Sequence, residues 1–273
     1  MSFTEIAVLT FCAAAAGAVN ALAGGGMLVA YPVLVAFGLS PIAGNATATV
    51  ALLAGGIGAQ LGYRKEMKGT APYLKGLVLP CIAGGILGAF LLLKTPPRQF
   101  AAMVPGLVLL ATFLFAAQGP ITRLALQVHA RITGTELATP KSVVVPTVPT
   151  VTLLGIQLLI SIYIGYFGAG AGAIMLANFG FAGLVNIHQM NGLKLWCGML
   201  TNVTAAVVFA LQPGLVHWQM VAVMTCGSVV GGYGSSRVAQ RVSDKSVRLT
   251  IVAIGVAMAA WLTVSALSSR SGH

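Results

Sequence analysis

One lysine of this 273-residue chain lies inside an apolar segment, where a charged group needs a chemical reason. Lys194 follows Asn191 by three residues, near the start of the apolar run 193–211. An ammonium group at that depth is costly unless it reaches water or a partner. The four acidic residues all fall in predicted loops or at the N-terminus: Glu5, Glu66, Glu136 and Asp244. Either the lysine side chain extends to the membrane surface, or it faces a polar cavity and attracts an anion.

The lack of carboxylates in the apolar runs excludes several kinds of site. Cation pathways, carboxylate proton relays, di-metal centres and paired-carboxylate catalysis all require Asp or Glu within the membrane. Sodium coordination by main-chain carbonyls and hydroxyls stays open. An enzyme with a nucleophile would depend on Cys197 and His188, which have no third orienting group in the pattern. The sequence therefore predicts no metal, no cofactor and no enzymatic activity.

Two glycine-rich segments supply the other part of a candidate anion site. A helix that restarts after such a break leaves its first N–H groups unpaired, with the positive end of its dipole exposed. The alternative is that the glycines only allow helices to pack closely. Together with polar residues that follow each break, the predicted substrate-binding residues are Gly24, Gly25, Gly26, Asn45, Thr47, Gly168, Gly170, Gly172, His188, Asn191 and Lys194.

The elements that position these residues are transmembrane helices. With 58% hydrophobic and only 7% charged residues, the composition excludes a soluble globular domain. Apolar runs approach or reach the roughly 20 residues that cross a bilayer, and they lack the alternation of barrel strands. These runs cover residues 7–23, 46–63, 77–93, 103–117, 152–167, 193–211, 221–238 and 249–267. The predicted fold class is an all-α polytopic membrane protein.

The two halves of the sequence share one design. Each has a long helix, a glycine break, a short apolar piece (27–38 or 173–181) and three further spans, and a small-xxx-small pattern recurs in the third apolar run of each half at 84–88 and 227–231. Because the short piece is too short to cross and should form a re-entrant hairpin, each half crosses three times, so the second copy must be inverted. The predicted units are repeats 1–117 and 149–273, joined by a proline-rich cytoplasmic linker, 118–148.

Charge placement fits this topology. The net charge of +11 comes from basic residues in short loops rather than on one face, which argues against nucleic-acid binding. With both termini outside, eleven basic residues lie in three cytoplasmic loops: Arg64, Lys65, Lys68, Lys75, Arg123, Arg131, Lys141, Arg237, Arg241, Lys245 and Arg248. Only Lys94, Arg98 and Arg270 lie outside. The expected partners are the lipid bilayer and a small anionic substrate, and homo-oligomerisation stays open.

Several motifs of the chain resemble the TauE/SafE sulfite exporter family. They are Gly165 to Gly172 (GYFGAGAG), Asn186 to Lys194 (NIHQMNGLK), Asn20 to Gly26 (NALAGGG) and Asn45-Ala46-Thr47. Asn186 and Gln189 depart from the family pattern, which has an acidic and a basic residue there. The resemblance implies a secondary transporter that exports sulfite, thiosulfate or organosulfonates across the bacterial inner membrane by alternating access. A channel-like anion pathway and an importer of another small oxyanion are the alternatives.

Overall fold

The computed structural model describes residues 1–63, 70–133, 150–184, 186–238, 252–253 and 255–260. Within these ranges the chain is helical and contains no strand. The helices are α1 (Phe3–Ala23), α2 (Met27–Ala36), α3 (Pro41–Tyr63), α4 (Ala71–Lys94), α5 (Pro97–Ala116), α6 (Gln118–Thr133), α7 (Val151–Tyr166), α8 (Ala171–Phe181), α9 (Ile187–Ala210) and α10 (Trp218–Val238). Helical residues also occur at 252–253 and 255–260. The all-α prediction is confirmed over this part of the chain.

Four of the described helices are long and apolar enough to cross a membrane. They cover Phe3–Ala21, Tyr73–Lys94, Pro97–Ala116 and Ile187–Ala210. The α2 and α8 helices are apolar as well, but they have 10 and 11 residues. At about 1.5 Å per residue, such helices reach only about half the thickness of the hydrocarbon layer. The predicted contrast between long spans and one short apolar piece per half is therefore present in the structure.

Side-chain hydrogen bonds cap the N-terminal ends of three helices. Ser2 and Glu5 form a capping box at the start of α1, in which each side chain bonds the main-chain N–H of the other. The Thr150 hydroxyl accepts from Leu153 N at the start of α7. Asn186 caps α9, because its Oδ1 accepts from the main-chain N–H groups of His188 and Gln189. An amide at position 186 therefore serves helix initiation without an acidic residue.

The two halves pack against each other through two equivalent helix pairs. The first helix of one half lies against the fourth helix of the other, so α1 packs on α10 and α7 packs on α4. A Cβ atom on Gly231 would overlap the main-chain oxygen of Ala14, and one on Gly88 would overlap that of Ile162. Both glycines belong to the small-xxx-small patterns, so these patterns serve close helix packing.

The linker between the halves contains a helix that the sequence analysis did not predict. The α6 helix follows α5 after the single residue Ala117 and packs along α8. Its His129 Nδ1 atom lies 2.9 Å from the main-chain oxygen of Phe181 at the C-terminal end of α8. The helix thus ties the first part of the linker to the short apolar helix of the second half.

Some sequence predictions fall outside the described residues. These are most of the last apolar run, 249–267, the second part of the linker, and many of the basic loop residues. The loop residues in question are Arg64, Lys65, Lys68, Lys141, Arg241, Lys245, Arg248 and Arg270. The assignment of sides of the membrane stays a prediction.

Candidate functional site

The two glycine breaks lie directly against each other. At the first, α1 ends with Gly24 in the left-handed region (φ 72°) and α2 begins at Met27. At the second, Gly168 (φ 75°) and Gly170 (φ 73°) separate α7 from α8. A Cβ atom placed on Gly24 would lie 3.4 Å from the Cα atom of Gly172, which is ordinary van der Waals contact. Left-handed backbone suits glycine, so the residue type produces the break at both places.

A cavity of about 80 Å³ lies at this junction. Since liquid water takes up about 30 Å³ per molecule, the space suits a small anion or a few waters. Both halves line it with corresponding elements: the end of the first helix, the break, the start of the short helix and one face of the next long helix. The lining residues are Asn20, Gly24, Met27, Thr49, Leu52, Leu53, Gly56, Ile164, Gly168, Ala171, Gly172, Met175, Lys194, Leu195, Gly198, Met199 and Asn202.

Lys194 is the charged residue of this cavity. Its side chain is only 3% exposed, so it does not extend to the surface of the protein. None of the other lining residues is acidic or basic, and Glu5, at the far end of α1, is the sole carboxylate side chain in the described ranges. The structure contains no hydrogen bond or ion pair from the Lys194 ammonium group to any described residue. The second of the two sequence-based alternatives, a cavity-facing lysine, fits this placement.

Four of the eleven predicted site residues line the cavity: Gly24, Gly168, Gly172 and Lys194. Gly25, Gly26 and Gly170 form the breaks but are not among the lining residues, and all three are buried. Gly170 packs against α5, where a Cβ atom would lie 2.7 Å from the Ala111 main-chain oxygen. The breaks therefore serve both close packing and the cavity, the two readings that the sequence left open. Substrate binding by these residues stays a prediction.

Asn45 and Thr47 lie near the cavity but do not line it. The Asn45 side chain is 1% exposed, and its Nδ2 donates to the main-chain oxygen of Tyr166, 3.1 Å away at the end of α7. The Thr47 hydroxyl accepts from His217 N at 3.2 Å. Both side chains thus connect the first half to the second. The Asn45 bond positions the end of α7 at the second break, and the Thr47 bond holds the segment just before α10. Neither residue is among those that line the cavity.

His188 and Asn191 lie in the first turns of α9, before the part of the helix that lines the cavity. The His188 side chain is exposed and that of Asn191 is half-buried. Lys194 follows Asn191 by three residues, so the two share a face one turn apart. Neither His188 nor Asn191 borders the cavity in this structure.

The sequence profile described as Sulfite exporter TauE/SafE matches residues 9–262. The chain belongs to the TauE/SafE family. Among its relatives, the probable membrane transporter protein ORF9 of Sinorhizobium sp is 26% identical over 262 residues, which covers 95% of this chain and 92% of the relative. The probable membrane transporter protein YfcA of Escherichia coli strain K12 is 24% identical over 257 residues, covering 94% and 89%.

A third relative, a probable membrane transporter protein of Haemophilus influenzae, is 23% identical over 262 residues and covers 94% of both chains. No solved structure matches the chain. Membership of the TauE/SafE family confirms the resemblance drawn from the motifs. With the four long apolar helices, it makes this chain an integral membrane protein similar to probable membrane transporters.

The cavity of this TauE/SafE protein also contains polar residues outside the predicted set. Asn20 comes from the last turn of α1 and Asn202 from α9, while Thr49 lies on α3. Helical spacing could have predicted two of them. Thr49 is one turn after Asn45 and Asn202 is two turns after Lys194, so each shares a helix face with a predicted site residue. Three methionines, Met27, Met175 and Met199, complete the apolar part of the lining.

A separate buried polar cluster crosses the boundary between the halves. Gln157 Nε2 donates to Ser161 Oγ at 3.2 Å and approaches Cys81 Sγ at 3.7 Å. Thr201 Oγ1 lies 3.3 Å from the same serine hydroxyl. The cluster joins α4, α7 and α9 and is separate from the cavity lining. In the described ranges, no group of three or more His, Cys, Asp or Glu side chains could hold a metal ion.

Proposed function

We propose that this protein is a secondary transporter that exports a small sulfur-containing anion, of the sulfite, thiosulfate or organosulfonate type, by alternating access. One observation carries the proposal: a buried lysine, with no acidic partner in the part of the chain that the structure describes, lines a cavity formed where two broken helices meet. A cation held in that way is stabilised by an anionic ligand. Discontinuous helices that meet at a central site are a feature of secondary transporters.

The architecture supports two repeats of opposite orientation. Each half contributes the same elements to the cavity. The contacts α1–α10 and α7–α4 are equivalent, because each joins the first helix of one half to the fourth helix of the other. Three crossings per half would place the second copy upside down, with both termini on the periplasmic side of a bacterial inner membrane. Movement of one repeat against the other would open the site to each side in turn.

The membrane potential favours the proposed direction. Moving a negative charge out of a negative interior gains about 2.3 kcal/mol per 100 mV. Export of an anion would therefore need little coupling, whereas import would need a co-ion. The substrate class comes from the family, whose profile is described as a sulfite exporter.

Flux measurements in proteoliposomes test this function. We expect saturable efflux of sulfite, thiosulfate or sulfoacetate that is lost in Lys194→Met. Lys94→Met is the matched control, because Lys94 is an exposed lysine at the end of α4, a helix that contributes no residue to the cavity lining. Flux that rises linearly with substrate concentration would favour a channel-like pathway instead. Uptake that requires a sodium or proton gradient would favour an importer, and full activity of Lys194→Met would remove the cavity from the mechanism.

A further inference from the structure

The α6 helix leaves a row of apolar side chains exposed. Residues four positions apart lie on the same side of an α-helix, so Leu124, Val128 and Ile132 form one row. The side chains of Leu124 and Ile132 are 60% and 71% exposed. The neighbouring face of α6 is covered by α8, where a Cβ atom on Gly180 would lie 3.6 Å from the side chain of Ala125. An apolar row beside a packed face marks a second contact surface of the helix.

A basic row lies next to the apolar one. Arg123, Gln127 and Arg131 have the same four-residue spacing, and all three are exposed. The sequence of α6 contains no acidic residue. Neither arginine has a hydrogen bond or an ion pair within the part of the chain that the structure describes. The two guanidinium groups are therefore open to negatively charged groups outside this part.

The position of α6 indicates what covers both rows. The α5 helix is long and apolar enough to cross a membrane and ends at Ala116, and α6 begins at Gln118. With 16 residues, two of them arginines, α6 is too short and too polar to cross. It therefore begins where a spanning helix leaves the hydrocarbon layer. Apolar and basic rows side by side are typical of helices that lie at the membrane surface, with apolar side chains in the acyl region and basic ones among the headgroups.

We propose that α6 lies on the membrane surface and binds the headgroups of anionic phospholipids through Arg123 and Arg131. A guanidinium group matches the geometry of phosphate oxygens, and basic residues near a membrane are attracted to negatively charged lipids. A zwitterionic headgroup binds less well, because its own ammonium group offsets the phosphate. This surface is independent of the proposed transport function. Its contact with α8 connects the lipid surface to a helix whose first turn lines the cavity.

Hydrogen–deuterium exchange of the full-length protein in lipid nanodiscs tests this surface. One set of nanodiscs contains phosphatidylcholine alone, and the other an equal mixture of phosphatidylcholine and phosphatidylglycerol. Exchange of the α6 amides should be at least about fivefold slower in the mixture, since each arginine near an anionic surface contributes roughly that factor. Exchange at the end of α8 should slow as well, because α6 packs on it. At about 1 M salt, which screens charges beyond roughly 3 Å, the difference should disappear.

Paired substitutions assign the effect to the basic row. The double variant Arg123→Gln with Arg131→Gln should exchange equally fast in the two kinds of nanodisc. Lys94→Gln with Arg98→Gln is the matched control, because it removes the same charge from exposed residues near the start of α5, at the end opposite α6. The control should keep the slower α6 exchange in phosphatidylglycerol.

A second pair of variants tests the apolar row. Leu124→Gln with Ile132→Gln should speed α6 exchange in both kinds of nanodisc, because these side chains no longer enter the acyl region. Leu124→Met with Ile132→Met keeps the row apolar and should leave exchange close to that of the unmodified protein.

Two results would overturn the proposal for the basic row: equal α6 exchange in the two kinds of nanodisc, or a phosphatidylglycerol effect that survives the loss of both arginines. Unchanged exchange after Leu124→Gln with Ile132→Gln would overturn it as well and would favour a soluble acidic partner. None of these measurements involves anion flux. Their failure would leave the transport function in place, and full activity of Lys194→Met would leave this lipid surface in place.

Discussion

The side-chain Nδ2 atom of Asn45 donates a hydrogen bond to the main-chain oxygen of Tyr166, 3.1 Å away. Asn45 lies near the start of α3 in the first half, and Tyr166 is the last residue of α7 in the second. The bond satisfies one of the carbonyl groups that a helix leaves unpaired at its C-terminal end. It therefore holds the end of α7, and with it the break at Gly168, against the first half.

This bond predicts different effects for two asparagines. Asn45→Ala should lower the free energy of unfolding by about 1 kcal/mol, because it removes a buried hydrogen bond between helices. Asn202→Ala should leave stability nearly unchanged but weaken anion binding, since Asn202 lines the cavity without a hydrogen bond to the described part of the protein. Thermal unfolding in detergent, combined with anion titration, measures both effects. A stable Asn45→Ala variant with lost binding would instead place Asn45 in the binding site.

The close helix contacts predict a second pair of effects. Gly231→Ala should destabilise the protein by roughly 1–3 kcal/mol, because its Cβ atom would overlap the main chain of Ala14 on α1. Gly155→Ala is the matched control, as a helical glycine with nothing within 4 Å of the added Cβ. That substitution should be neutral or stabilising by up to about 1 kcal/mol, through better helix propensity. Equal unfolding temperatures for the two variants would contradict the packing role of Gly231.

Two glycines with left-handed backbone distinguish the cost of backbone strain from the cost of steric crowding. Gly170 has a φ of 73°, and a Cβ atom there would also crowd Ala111, whereas Gly38 has a φ of 88° and open space around it. Alanine in left-handed backbone costs roughly 1–2 kcal/mol. We expect Gly38→Ala to lower the free energy of unfolding by about that amount. Gly170→Ala should lower it further and should also reduce anion binding. Denaturation and titration of both variants provide the measurement, and a Gly170→Ala variant no worse than Gly38→Ala would contradict the expected crowding.

The contact between α6 and α8 should protect the amide groups of α6 and of the end of α8 from hydrogen exchange. His129→Ala removes the contact of Nδ1 with the Phe181 oxygen, and the histidine ring also covers Gly183. The free energy of unfolding should fall by about 1 kcal/mol. Amide hydrogen exchange in α6 and at the end of α8 should increase. Gln127→Ala, an exposed position on the same helix, should leave exchange unchanged. Similar exchange in the two variants would show that His129 does not hold α6 in place.

Much of the fold could be predicted from the sequence because its causes are local. Long apolar runs require helices in a membrane, and consecutive glycines interrupt them, so α1 ends at Ala23 and α2 begins at Met27, as the first glycine run predicts. At the second run the structure differs slightly: α8 begins at Ala171, inside the predicted break. The unusual position of Lys194 was also visible in the sequence, because a lysine within an apolar run requires a reason that the surrounding residues do not provide.

The lining of the cavity depended on the rotation and depth of each helix, which only tertiary packing decides. Thr47 and Thr49 both follow the first break in the sequence, yet residues two apart on a helix point about 200° apart. The contacts of α3 with α9 and α10 therefore direct Thr49 to the cavity and Thr47 to His217. The sequence by itself determined where the helices break and that one lysine lies within an apolar run. Packing between the halves decided which side chains surround it, because that choice follows from contacts between residues far apart in the chain.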